Sequence, residues 1–207
     1  RYARGEHSAL SHSGKRGALV FFGKGNCVAC HSVAGQSNEM FSDFQMRNIG
    51  VPQIAPRFGV GLSNMIFDGP GENEDFGLEQ ITGNPADRYK FRSSPLRNVA
   101  LQPAFFHNGA FTRLEDAIRH HLDVARSARH YDARRAGVDR DLRDRLGPID
   151  PVLATLDPLL ARPIELTDGE FRDLVAFVRD GLHDHRATPK SLCRLVPHSV
   201  PSGRPLL

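Results

Sequence analysis

The sequence contains no tryptophan, and only three cysteines and three methionines among its 207 residues. Aromatic packing therefore falls to thirteen Phe and three Tyr. No run of eighteen or more apolar residues occurs, so no segment reads as a membrane-spanning helix. The start shows neither a basic n-region nor an apolar h-region, and the chain opens on Arg1 rather than Met, which reads as a processed protein or a fragment. There is no internal repeat. Charge of one sign is also missing: 27 basic residues face 24 acidic ones, a formal +3, and the two signs are interleaved. That balance does not imply nucleic acid, and it is compatible with an acidic protein partner. With 40% hydrophobic residues the length suits one globular domain.

Against this background Cys27-Val28-Ala29-Cys30-His31 stands out. Two thiols three positions apart, followed at once by an imidazole, are the arrangement that covalent haem attachment requires. Each thiol adds to one porphyrin vinyl group, and the histidine then lies under the iron as proximal ligand. A zinc half-site needs a second ligand pair, whereas the remaining cysteine, Cys193, is distant and alone. A thioredoxin-like redox pair needs a preceding strand and a βαβ unit, and the sequence offers neither. Cys193 reads as a free thiol or one paired outside this chain.

Residues 1–12 are polar and read as a linker or arm, 13–188 as a cytochrome c-like haem domain, and 189–207 as a Pro-rich extended tail. The fold class expected is all-α, with long loop insertions. An apolar segment from Gly17 to Phe22, ended by Gly23, reads as a helix running into the haem-binding turn. Phe41–Pro52 suggests a short helix, and 68–75 an acidic Gly/Pro loop without the ligand spacing of an EF-hand. Residues 149–163 read as extended loop. Thr112-Arg113-Leu114-Glu115 has the form of a capping box opening a helix over 113–124. On a wheel, Leu114, Ala117, Ile118, His121 and Ala125 share one face while His120 points off it. His121 is thus the candidate second axial ligand, with His120, Met40, Met46 and Met65 as alternatives. Thr167–Glu170 is a second capping box, and the helix it opens is expected to pack across the first. Arg92 and Arg97 are either haem-propionate partners or surface arginines.

Several segments resemble the bacterial di-haem cytochrome c peroxidases and their MauG-like relatives. Phe91-Arg92-Ser93-Ser94-Pro95-Leu96-Arg97-Asn98 is similar to that family's F-[KR]-x-P-x-L-R-N block. Ala104-Phe105-Phe106-His107-Asn108-Gly109, followed by Leu114-Glu115-Asp116-Ala117, is similar to its P-Y-[FM]-H-[DN]-G and L-E-x-A continuation. Asn48–Pro52 and Leu166–Phe177 also fit, so the likeness spans roughly residues 13–185 and points to the C-terminal haem domain. The family carries two haem domains and this sequence has one C-x-x-C-H, which implies one haem c per chain and a peroxide-cleaving domain missing or on a separate polypeptide. The family's distal ligand on this helix is Met, or Tyr in MauG-like enzymes, and His121 stands at the matching place. The resemblance implies an electron-transfer haem that takes electrons from a small cytochrome or cupredoxin. It would relay them to a second haem that reduces hydrogen peroxide, in the periplasm after export. A free-standing mono-haem carrier and a MauG-like oxidant of a protein partner are the alternatives. The family's calcium site, partly backbone carbonyls near Gln102 and Ala104, would have only half of its ligands here.

Overall fold

The structure, a computed structural model, describes residues 1–56, 73–197 and 199–204. It is mostly helical with long connections. Helix α1 (His12–Phe22) opens on Ser11, whose hydroxyl accepts from the Gly14 N–H, and stops at Gly23. Strand β1 (Met46–Arg47) and strand β2 (Ile54–Ala55) follow, then the short helix α2 (Glu79–Thr82) and strand β3 (Phe91–Arg92). Next come α3 (Leu114–Leu122), α4 (Val124–Arg129), strand β4 (Arg145–Leu146) and α5 (Asp150–Ala154). Helix α6 (Asp168–Ala176) continues as a wider π-type turn over Phe177–Gly181, and α7 (Pro189–Leu192) lies in the tail. Among the described residues four strands of two residues each form two antiparallel ladders, β1 with β3 and β2 with β4.

The main packing event is α1 crossing α6. Gly17 makes it possible, because a Cβ there would lie 1.9 Å from the Asp173 carbonyl oxygen. Arg16 clamps one side of the crossing through two hydrogen bonds to the Asp173 carboxylate, at 2.6 and 2.8 Å. Lys24 reaches Glu170 on the other side, at 2.8 Å. Glu170 belongs to the Thr167 capping box, which forms as the sequence suggested. Phe21, Leu174, Phe177 and Val178 fill the junction, and the core continues through Val51, Ile54, Phe111 and Leu114.

Four local expectations are corrected. Phe41–Pro52 is extended, because Ser42, Asp43 and Asn48 each accept from a backbone N–H two residues on and hold turns in place of helix. Thr112 does not cap: its hydroxyl donates to the Ala136 carbonyl, and α3 starts at Leu114 with Arg113 at the cap position. That helix also ends early, at Asp123, whose carboxylate caps α4 by accepting from Arg126 N–H. Within the stretch expected as loop, Pro151 and Pro158 open helical turns at the position where a missing N–H costs nothing. The same holds for Pro189 in the tail. Of the acidic loop, only 73–75 falls within the described residues, and Met65 falls outside them.

Candidate functional site

The turn after α1 brings the thiols and the first histidine together. Asn26 adopts a left-handed conformation (φ 48°), Cys27–Ala29 form a single 3-10 turn, and the His31 N–H returns to the Cys27 carbonyl at 2.9 Å. Burial pushes the Cys27 thiol up to about 11 and raises Cys30 as well, so both are neutral thiols at pH 7.

The His31 Nδ1 lies 2.9 Å from the Phe41 carbonyl oxygen. A carbonyl only accepts, so Nδ1 carries the hydrogen. Burial lowers the ring's pKa to about 4, which keeps the imidazole neutral and leaves the lone pair on Nε2. On α3 the same logic applies to His121. Its Nδ1 donates to the Ala117 carbonyl at 2.8 Å, and burial lowers its pKa, so its lone pair is also on Nε2. The two ring centres stand 6.4 Å apart with planes inclined by 64°. Two imidazoles on opposite sides of one metal ion, at ordinary metal–nitrogen distances, place their ring centres about 6.3 Å apart. The separation therefore suits one metal ion between the rings, and each Nδ1–H contact is of the kind that fixes a metal-binding histidine's tautomer. Phe106, itself in a left-handed conformation (φ 67°), stacks on His121 at 5.5 Å and 30°.

His120 is different, and the helical wheel misplaced it. It is fully buried, whereas His121 is half-buried, because the core stripe of α3 runs through Leu114, Ala117 and His120. The Nε2 of His120 lies 2.9 Å from the Ile49 carbonyl, so Nε2 carries its hydrogen, and Nδ1 meets the Ser127 hydroxyl at 3.1 Å. Both nitrogens are used, and no lone pair is left for a metal.

Arg92 and Arg97 are exposed. Arg92 sits 5.5 Å from the centre of the Phe44 ring, and Arg97 approaches Glu39 at 3.7 Å. Their segment is bound to the loop after His31: Leu96 N–H donates to the Met40 carbonyl, Ser93 N–H to Gln45, and the Ser42 hydroxyl to Ser93. Met46 is exposed and Met40 half-buried. Gln102 and Ala104 are both exposed. Cys193 is an exposed free thiol in the tail.

The sequence reading missed Arg47. Its guanidinium bonds Asp157 at 3.0 Å and Asp43 at 2.5 Å, while the Asp43 N–H donates to the Cys30 carbonyl. Burial works against its charge, but the two carboxylates hold its pKa well above the ordinary value. The signal was present as an Asp43/Arg47 i,i+4 pair, which looks helical on paper.

The chain is 30% identical over 192 residues to the cytochrome-c peroxidase IdrP1 of Pseudomonas sp. strain SCT, covering 86% of this chain and 42% of the relative. It is 27% identical over 178 residues to the methylamine utilization protein MauG of Methylorubrum extorquens, covering 86% and 37%. Over most of its length the chain is similar to di-haem cytochrome c peroxidases and MauG proteins. Among solved structures, a variant of the diheme peroxidase BthA from Burkholderia thailandensis superposes with a TM-score of 0.56 at 26% identity, over 86% of this chain and 43% of that one. No family model matches the sequence. The chain spans less than half the length of these curated relatives.

Proposed function

We propose that this chain is the electron-relay haem domain of a di-haem peroxidase-type enzyme, corresponding to the family's C-terminal domain. The observation that supports it is the 6.4 Å separation of the His31 and His121 rings, each with Nδ1 on a backbone carbonyl and its lone pair therefore on Nε2. Bound through Cys27 and Cys30, haem c supplies a one-electron iron couple. His31, aimed by the Phe41 carbonyl, and His121, aimed by the Ala117 carbonyl, would both hold the iron and would leave no site open for peroxide. An imidazole where the family's peroxidases have a thioether also lowers the potential. Arg92 and Arg97, on the segment tied to the loop after His31, are the guanidiniums assigned to the propionates. Electrons arrive from a small cytochrome or cupredoxin in the periplasm and leave for a second haem outside this chain, where peroxide is reduced.

The test is the ferrous, haem-loaded chain exposed separately to carbon monoxide and to hydrogen peroxide in a stopped-flow instrument. The reading predicts no carbon monoxide adduct and only slow oxidation by peroxide, accelerated when a relative's peroxidatic half is added. Rapid carbon monoxide binding with peroxide turnover by this chain alone would make it the catalytic haem. Slow oxidation that the added half leaves unchanged would favour a free-standing carrier.

A further inference from the structure

An open groove of about 820 Å³ runs along α3 and α4, bounded by the Tyr131–Ala136 loop and the 164–171 segment. That is the size of a small-molecule site. Phe111, Tyr131, Phe171, Leu122, Ile164 and Leu166 give it an apolar lining. Its charges nearly cancel, with four arginines against five carboxylates. Several of these are already engaged: Arg113 with Asp116, Arg119 over the Phe171 ring at 3.8 Å, and Asp123 and Asp132 on backbone N–H groups. A charged ligand gains little from such a rim. A neutral aromatic with hydroxyl groups finds apolar walls and both donors and acceptors.

The groove is also joined to the haem site by ring contacts. Tyr131 meets Phe111 at 5.4 Å, Phe111 meets Phe106 at 5.3 Å, and Phe106 stacks on His121 at 5.5 Å. All three separations are those of packed aromatic pairs. Electron tunnelling weakens far more steeply across empty space than through packed matter, so this column is a continuous route between the groove and the iron ligand. The Tyr131 hydroxyl donates to the Ala110 carbonyl at 2.7 Å, an acceptor that is not a base, so the ring serves as a bridge and keeps its proton.

We infer that the groove binds an uncharged dihydroxyaromatic reductant and passes its electron through Tyr131, Phe111 and Phe106 to His121. The donor loses one electron and releases one phenolic proton to water, and ferric iron takes up the electron to become ferrous. A second encounter removes the other electron and proton. This rests on His121 being the distal ligand.

Hydroquinone is the probe. Calorimetry on the ferrous haem-loaded chain, which has no ferric iron to reduce, reads binding without turnover. Stopped-flow reduction of the ferric chain reads transfer. Saturable binding is expected, abolished by Ile164→Trp, which fills the groove while leaving the Ile164 N–H bond to the Leu122 carbonyl intact. Reduction should saturate at the same concentration. Its limiting rate should fall several-fold in both Phe106→Leu and Phe111→Leu, with half-saturation unchanged in Phe106→Leu because Phe106 is not part of the groove lining, while reduction by dithionite stays as in the wild type. Phe106 is half-buried, so its variant serves if the core substitution at Phe111 does not fold. No binding, a rate linear in hydroquinone, or wild-type limiting rates in both Phe variants would each overturn the inference. Paramagnetic resonance on the same samples reports axial ligation separately, so a failure of the ligand reading is distinguishable from a failure of the groove.

Discussion

Replacing Gly17 by alanine adds one methyl group at the point where α1 and α6 are closest. The new Cβ would lie 1.9 Å from the Asp173 carbonyl oxygen, 2.5 Å from its carbon and 2.8 Å from Phe177 Cβ. Reaching ordinary contact, near 3.4 Å, requires the helices to part by about 1.5 Å. The obstacle is backbone and cannot rotate away. Overpacking of this kind costs about 3 kcal/mol. Alanine's better helix propensity returns about 1 kcal/mol. The net expectation is a loss of about 2 kcal/mol, or a fall of about 1 M in the urea midpoint at unchanged slope. The assay is equilibrium unfolding of the haem-loaded protein followed by far-ultraviolet circular dichroism. Gly14→Ala in the same helix is the control, since its Cβ meets nothing nearer than the Ser11 hydroxyl at 3.3 Å, and it should shift stability by less than about 1 kcal/mol. If Gly17→Ala were as stable as the wild type or more so, propensity alone would govern and the close crossing would be wrong.

Two other predictions concern buried polar groups. Asn48 is 2% exposed, donates to the Val152 carbonyl and the Thr155 hydroxyl, and accepts from Gly50 N–H, so it ties the strand region to α5. Asn48→Ala leaves these partners unpaired and should cost about 3 kcal/mol by urea unfolding. A loss below about 1 kcal/mol would show that water replaces the network. His107 and His120 are neutral in the fold because burial lowers both to about 3, and each takes up a proton on unfolding below the ordinary value of 6.5. With more protons on the unfolded chain, stability rises with pH across that window. It should fall by up to about 2.7 kcal/mol per pH unit on acidification and be level with respect to these groups above 6.5. Urea midpoints measured from pH 4 to 8 check this, and a flat profile below 6.5 would contradict it.

The parts of the fold that the sequence revealed were those written in local spacing. The Cys27–His31 motif, the helix expected from the Gly17–Phe22 apolar segment with its stop at Gly23, and the Thr167 capping box depend on residues within a few positions of one another. The failures were tertiary. Thr112 looked like a cap, but the Ala136 carbonyl, from a distant loop, claims its hydroxyl. Asp43 and Arg47 looked helical, but Arg47 is shared with Asp157, which no local pattern can show. The wheel selected His121 by treating α3 as having one buried face. In fact the core side holds His120, and His121 lies beside it towards His31. What separates the two imidazoles is the backbone carbonyl each one meets, and that is set by chain segments as far apart as Ile49 and Ala117.

The most direct test of the account is the ferric, haem-loaded protein studied by absorption and electron paramagnetic resonance, alongside His121→Ala and His120→Gln. The account predicts a low-spin bis-imidazole signal in the wild type, retained in His120→Gln and converted to high-spin in His121→Ala. A high-spin wild type, or a low-spin signal that survives removal of His121, would contradict it.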